Sequence, residues 1–192
     1  MKTQEINYKS IYYPPGGILM WFIIFIEIIT FCMALFAAIL DAKNSPEIYY
    51  QSCLKLDLTL GTINTFVLLI SGYFIAQGLH FFKKEAYFLA QKQFNWGIFL
   101  GIIFILIKAI EYYKKINLGY TLGANNFFTF YWLLTGFHLI HVIIGIIIIL
   151  FLRNKLASKK LEDVEAGSAF WHMCDLIWLL LYPILYLYFR II

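Results

Sequence analysis

Charged residues are scarce in this chain of 192 residues, at 14% of the sequence. A soluble domain carries about 25% charged residues, so an ordinary soluble globular protein is excluded. Hydrophobic residues make up 62% of the chain, and the stretches between its apolar runs are too short for a separate soluble domain. The composition therefore predicts a single membrane domain over residues 1–192.

Cysteine and histidine are also few. Cys32, Cys53 and Cys174 form no CxxC pair, so the pattern predicts neither a disulfide framework nor a zinc site. Four histidines are too few for two bis-histidine haems. The sequence also lacks the Glu-x-x-His motif that ferritin-like di-iron bundles use.

Long apolar runs dominate the remaining sequence. A helix needs about 20 residues to cross a hydrocarbon core of roughly 30 Å. Five runs meet this requirement, at residues 18–40, 58–82, 94–113, 127–152 and 169–189. We therefore predict an all-α, polytopic bundle of five transmembrane helices. Pro183 lies within the last run, where it removes one backbone hydrogen bond and favours a kink.

The basic residues are divided unequally between the two sides that five spans define. The side with the N-terminus holds nine of them, and the other side holds six. The nine are Lys2, Lys9, Lys83, Lys84, Lys92, Arg153, Lys155, Lys159 and Lys160; the six are Lys43, Lys55, Lys108, Lys114, Lys115 and Arg190. This excess predicts a cytoplasmic N-terminus. We assign these lysines to topology and anionic headgroups rather than to nucleic acid.

Polar residues inside the spans are candidates for function. His138 and His141 lie three residues apart on one helix, about 4.5 Å along its axis. They could share a metal ion only if ligands arrived from other helices. The candidates for such ligands are Glu27, Glu111, His172 and Asp175. No convergent set is evident from the sequence, so we predict no metal or haem bound by this chain.

Glu27 lies about midway along the first span, where an ionised group costs roughly 2.5–3.5 kcal/mol. It therefore stays protonated, or a partner such as His138 or His141 bonds it. In the last span, His172 and Asp175 are three residues apart and can touch on one face. We interpret these two as a pair that anchors the helix near the headgroups.

Five ordered motifs resemble subunit III of the haem–copper oxidase family. They are MWFIIFIE at 20–27, LGTINTFVLLISG at 60–72, AIEYY at 109–113, TGFHLIHVIIG at 135–145 and FWHMCDLIW at 170–178. The similarity covers nearly the whole chain. It implies a non-catalytic accessory subunit that packs against subunit I, beside subunit II, in the aerobic respiratory chain.

The resemblance also implies roles for individual residues. Haem and copper belong to the catalytic partner, and none is bound by a subunit of this family. Phospholipids lie in a cleft of the family fold, which Glu27 lines by resemblance and where His172 approaches a headgroup. The intramembrane polar and packing residues are Glu27, Asn64, Glu111, His138, His141, His172 and Asp175.

Many relatives carry two further N-terminal helices that this chain lacks. The five-helix form is similar to quinol-oxidase subunits, to some bacterial cytochrome oxidase subunits and to a branch associated with nitric oxide reductases. The motifs do not separate these branches. Two other classes are a small proton-coupled transporter and a haem-carrying membrane anchor, although no internal repeat of the transporter type is evident. We expect a bacterial inner membrane location.

Overall fold

The computed structural model describes residues 14–191, and helices are the regular structure over that range. Five helical segments are long and apolar enough to cross a membrane, which confirms the predicted fold class. The helices are α1 (Ile18–Asn44), α2 (Pro46–Leu54), α3 (Leu58–Lys83), α4 (Tyr87–Asn117), α5 (Asn126–Arg153) and α6 (Leu161–Tyr182). A π-helical turn, Pro183–Leu187, and a 3-10 turn, Tyr188–Arg190, extend the last span.

Short polar residues set several helix starts. The side chain of Asp57 accepts a hydrogen bond from Leu60 N (3.1 Å) and caps α3. Asn125 caps α5 in the same way through Phe128 N (2.9 Å). Such caps satisfy backbone donors that the first helical turn leaves unpaired. These two caps fix where α3 and α5 begin.

The core of the bundle forms around α6, which packs against α1, α3 and α5. The most extensive contact is between α3 and α4, which a short turn joins with Glu85 at φ 59°. Glycine permits several close approaches between helices. A Cβ at Gly97 would lie 2.5 Å from a methyl group of Ile75, and one at Gly101 would lie 2.6 Å from the ring of Trp171.

The observed helices are longer than the predicted spans. The fourth helix begins at Tyr87 rather than residue 94, and the last begins at Leu161 rather than residue 169. The segment Arg153 to Glu165, which lies between two predicted spans, contains a 3-10 turn at Leu156–Ser158 and the first turn of α6. Hydropathy marks only the apolar part of a helix, whereas its polar ends continue beyond the hydrocarbon.

The short helix α2 was not predicted. Pro46 at its first position and Glu47 in its first turn are ordinary helix-start signals. At Pro183, where a kink was expected, α6 ends at Tyr182 and the chain continues as a π-helical turn. A proline ring displaces the carbonyl one turn earlier, which ends the α-helical pattern.

Each end of the bundle has its own polar contacts. At the end where α1 begins, called the Gly17 end, Lys83 Nζ lies 2.6 Å from Glu165 Oε1. Arg153 Nη1 there donates to Asn95 Oδ1 at 2.5 Å. Lys2 and Lys9, which were assigned to this side, lie outside the described residues.

The opposite end, called the Asn44 end, is covered by α2. Arg190 Nη2 donates to the carbonyl of Leu56 at 2.8 Å, and Lys115 Nζ donates to the carbonyl of Lys55. The thiol of Cys53 donates to Leu185 O at 3.1 Å, and burial raises the pKa of that thiol. The contacts of Arg190 and Cys53 tie α2 and the residues just after it to the end of the last span, and Lys115 adds a tie to α4.

Candidate functional site

Glu27 and His141 meet between α1 and α5 and are called the Glu27 pair. Nε2 of His141 lies 3.3 Å from Oε2 of Glu27, and its Nδ1 lies 2.8 Å from the carbonyl of Phe137. Because a carbonyl only accepts, Nδ1 carries a hydrogen. Oε2 of Glu27 makes no hydrogen bond within residues 14–191, so the two side chains lie close together without a hydrogen bond between them. Of the two partners expected for Glu27, the structure selects His141.

The Glu27 pair lies beside an apolar groove between α1 and α5. The groove has a volume of about 270 Å³. Its lining residues are Thr30, Phe31, Ala34, Phe130, Leu133, Leu134 and Phe137. Phe137 joins the groove to the pair, because its ring centroid is 4.6 Å from that of His141. Glu27, which was expected to line a lipid cleft, is not itself among the lining residues of this groove.

His138 does not join the Glu27 pair through a hydrogen bond. It is fully buried, and its ring stacks on Trp178 at 5.3 Å between centroids, with Phe104 edge-on at 5.8 Å. Neither ring nitrogen has a hydrogen-bond partner within residues 14–191. The residue therefore packs among aromatic rings from α4 and α6.

Asn64, which was singled out on α3, is also fully buried. Its two amide atoms are unpaired in the part of the chain that the structure describes. The next residue, Thr65, accepts a hydrogen bond from Trp178 Nε1 at 2.9 Å. The motif around Asn64 thus faces α6, and Thr65 supplies its polar contact across the two helices.

Glu111 belongs to a buried ion-pair cluster that the sequence interpretation missed. Lys108 Nζ lies 3.0 Å from Glu111 Oε2, and both side chains are 1% exposed. Lys108 also donates to the hydroxyls of Tyr131 (3.3 Å) and Tyr186 (3.1 Å). We call these four residues the Lys108 cluster. Within this cluster, the opposite charges of Lys108 and Glu111 compensate each other inside the bundle.

The Lys108 cluster is closed on all sides by hydrogen bonds and aromatic rings. Oε1 of Glu111 accepts from Tyr131 (2.9 Å) and Tyr186 (2.6 Å). Nζ of Lys108 lies 4.9 to 5.7 Å from the centroids of four aromatic rings. From the sequence, Lys108 was assigned only to the charge bias that sets the orientation in the membrane. The Lys-x-x-Glu spacing on an inward helix face was the signal that could have found the pair.

His172 and Asp175 touch as their spacing predicted and are called the His172 pair. Nδ1 of His172 lies 3.2 Å from Asp175 Oδ2. The His172 side chain is 45% exposed, whereas that of Asp175 is 9% exposed. The carboxylate packs on Gly72 of α3, where a Cβ would overlap with Oδ2. His172 is not among the residues that line the α1–α5 groove.

These three clusters are separate, and they do not converge on one centre. Across residues 14–191, no three His, Cys, Asp or Glu side chains come together as a metal ion would require. The cofactor expectation itself stays a prediction. The geometry supports packing, a close contact between Glu27 and His141, and an apolar binding groove.

Known proteins resemble the chain over most of its length. The family model described as Cytochrome c oxidase subunit III matches residues 15–190. Cytochrome c oxidase subunit 3 of Thermostichus vulcanus is 32% identical over 162 residues, which are 81% of this chain and 79% of that protein. Probable quinol oxidase subunit 3 of Staphylococcus saprophyticus is 26% identical over 80% of this chain and 79% of its own length.

A fused protein gives a further comparison. Heme-copper oxidase subunit I+III of Aeropyrum pernix is 26% identical over 180 residues, which are 88% of this chain and 22% of that protein. Together with the family match, these similarities take precedence over the transporter and haem-anchor alternatives. The chain belongs to the cytochrome c oxidase subunit III family, whose members are non-catalytic, multi-pass membrane subunits of cytochrome c and quinol terminal oxidases.

Proposed function

We propose that this chain stabilises the catalytic subunit I of an oxygen-reducing haem–copper oxidase, together with its lipid and proton-uptake surroundings. The family match over residues 15–190 carries this proposal. The fused relative supports the partnership, since its description joins a subunit I to a subunit III in one chain. Haem and copper reside in that catalytic partner, and subunit II completes the complex.

Co-purification tests the partnership. A tag on this chain should recover a haem-containing catalytic subunit, while the chain purified alone should show no stoichiometric haem, iron or copper. Oxygen consumption by the recovered complex is the expected activity. A complex that consumes nitric oxide instead would favour the second candidate, an accessory subunit of a nitric oxide reductase. A haem spectrum in the isolated chain would contradict the proposal.

The groove between α1 and α5 is the proposed lipid site. Its lining is apolar and its volume is about 270 Å³, which suits part of an acyl chain. The side chain of Glu27 is 21% exposed. Glu27 lies on the same helix as Thr30 and Ala34, about one turn before the first and two turns before the second. The contact expected between His172 and a headgroup is not supported by any residue of this groove and stays a prediction.

Filling the groove tests the lipid site. Ala34→Phe places a ring among the lining residues, so the purified complex should retain about one phospholipid fewer in native mass spectrometry. Ala37→Phe is the matched control, because Ala37 is exposed on the same helix and is not a lining residue. Equal lipid content in both variants would contradict the assignment.

The proposed location is a bacterial inner membrane with the Gly17 end in the cytoplasm. The excess of basic residues on that side supports the orientation. Ser158→Cys and Ala124→Cys report the two sides, since both positions are exposed in connectors at opposite ends. An impermeant maleimide should label Ser158→Cys only in inverted vesicles and Ala124→Cys only in right-side-out vesicles. The reverse pattern would contradict the orientation.

A further inference from the structure

An arginine without an acidic partner lies at the Gly17 end of the bundle. Arg153 is the last residue of α5, and its Nη1 donates to Oδ1 of Asn95 on α4 at 2.5 Å. At the same end Lys83 is paired with Glu165, whereas Arg153 forms no ion pair within residues 14–191. Its Nε is buried without an acceptor in that range. A charged group whose donors are largely unused calls for a partner from outside the chain.

Asn95 holds the guanidinium at the edge of a surface pocket on α4. The pocket has a volume of about 330 Å³ and is lined by Asn95, Trp96 and Phe99. Asn95 is therefore both a wall of the pocket and the acceptor that positions Arg153. The 3-10 turn Leu156–Ser158 packs against α4, so the connector that follows Arg153 stays beside this helix. We call Arg153, Asn95, Trp96 and Phe99 the Arg153 pocket.

Aromatic rings form the other part of the Arg153 pocket. Trp96 stacks on Phe74 of α3 at 6.2 Å between ring centroids, and Phe99 meets Trp96 edge-on at 5.9 Å. Trp96 is 47% exposed and Phe99 is 53% exposed, so both rings offer surface to a ligand. Lys92 is also exposed, and it precedes Asn95 and Trp96 by three and four residues on the same helix face. The pocket thus has a cationic end and an apolar end.

This arrangement suits a ligand in which an anionic group is joined to a hydrocarbon chain. A guanidinium binds phosphate through forked hydrogen bonds, and aromatic rings pack well against apolar groups. Anionic phospholipids carry both parts, and basic pockets between transmembrane helices on the cytoplasmic side bind such headgroups. The Gly17 end is the side proposed to face the cytoplasm. A zwitterionic phospholipid brings its own cation, which Arg153 and Lys92 repel.

We propose that the Arg153 pocket binds one anionic phospholipid, with its phosphate on the guanidinium of Arg153 and an acyl chain along Trp96 and Phe99. The site is separate from the groove between α1 and α5, because no residue lines both. It selects its lipid by headgroup charge, which an apolar groove cannot do. The proposal does not depend on the catalytic partner, so the purified chain can test it.

Competition between two lipids tests the site. The purified chain is mixed in detergent with equal amounts of dioleoyl phosphatidylglycerol and dioleoyl phosphatidylcholine, and native mass spectrometry counts the lipids that stay bound. We expect one phosphatidylglycerol to be retained in preference to phosphatidylcholine. A higher salt concentration should reduce that preference, because salt screens the attraction between exposed charges. Equal retention of the two lipids would overturn the proposal.

Loss of the cation gives a matched pair of variants. Arg153→Gln should lower the fraction of the chain that carries phosphatidylglycerol by about tenfold or more, the range for one hydrogen bond to a charged group. Lys114→Gln removes the same charge from an exposed position in the last turn of α4, at the Asn44 end. This control should retain the lipid as the unmodified chain does. An equal loss in both variants would show unspecific attraction by net charge and would contradict the site.

Asn95→Asp separates lipid binding from packing. Aspartate has nearly the same shape and keeps an acceptor for Nη1 of Arg153, so the melting temperature of the chain should not fall. Its charge neutralises the guanidinium and repels a phosphate. Retention of phosphatidylglycerol should therefore drop as it does in Arg153→Gln, and unchanged retention would count against the assigned position of the headgroup.

Photocross-linking shows what occupies the pocket in the intact complex. A benzophenone amino acid at Phe99 should give an adduct with the mass of one phospholipid. A product with the mass of another protein subunit would mean that a transmembrane helix covers the pocket. That result would overturn the lipid site and leave the proposed function intact.

Discussion

Glu27 combines partial exposure with a histidine partner in the middle of the membrane. Its side chain is 21% exposed and lies 3.3 Å from His141 Nε2. Since Nδ1 of that histidine is engaged by the Phe137 carbonyl, only Nε2 faces the carboxyl of Glu27. This geometry makes Glu27 replaceable by a neutral donor and intolerant of a cation.

We therefore expect Glu27→Gln to assemble with the catalytic subunit nearly as well as the unmodified chain, because the amide can donate to Nε2. Glu27→Lys should fail to assemble, because an unpaired cation at this depth is costly. The measurement is the amount of this chain that co-purifies with the tagged catalytic subunit. If Gln abolished assembly as fully as Lys, an ionised Glu27 paired with imidazolium would be the better description.

The Lys108 cluster makes a prediction about the stability of the chain. Removing one partner of a buried ion pair costs about 3–5 kcal/mol. Glu111→Leu should cost more than Lys108→Met, because Glu111 keeps two tyrosine donors when the lysine is lost. The double variant should lower the free energy of unfolding by less than the sum of the two single variants. SDS-induced unfolding of the purified chain measures all three free energies, and strict additivity would show that the pair is not coupled.

Among the helices, the closest approach tied to a polar group is between α3 and α6. Gly72 faces the carboxylate of Asp175 so closely that a Cβ would overlap with Oδ2. By contrast, Gly136 on α5 has nothing within 4 Å of the position a Cβ would take. Both glycines lie inside long helices, so they form a matched pair for substitution.

Gly72→Ala should destabilise the packing of α3 on α6 and lower the melting temperature of the purified chain. Gly136→Ala should be neutral or stabilising by up to about 1 kcal/mol, the difference in helix propensity between the two residues. Thermal unfolding followed by circular dichroism distinguishes them. Equal effects would mean that the α3–α6 contact relaxes without cost.

The elements show why the fold was predictable and parts of the site were not. The five spans follow from hydropathy, which is a local property of the sequence. Pro183 is also a local signal, and it predicted a change in the last helix where α6 ends. Helix α2 was missed because its apolar content is low and because Cys53, near its end, is held by hydrogen bonds with Leu185 and Arg190 from a distant part of the chain.

In the candidate site, too, contacts within one helix were predictable from the sequence, whereas contacts between helices were not. The contact between His172 and Asp175 was predictable because both residues lie on one helix, three positions apart. Its outward exposure was not predictable, since it depends on how α1 and α3 flank α6. Lys108 was assigned to topology because a charge near a span end normally reaches water, whereas two tyrosines from other helices enclose it here.

For the whole molecule, packing, an apolar groove and isolated polar pairs support a role in sustaining a partner rather than in electron transfer. Under the proposed function, this chain stabilises subunit I and its lipids, while haem and copper stay in that partner. Loss of the chain should therefore leave the haems in place and shorten the working life of the complex.

The most direct test compares oxygen consumption over time by the complex with and without this chain, at matched haem content. We expect the initial rate to fall less than the number of turnovers completed before inactivation. Adding back the purified chain should restore that number. An immediate and complete loss of activity with haems retained would contradict the account, because it would require a direct catalytic role for this subunit.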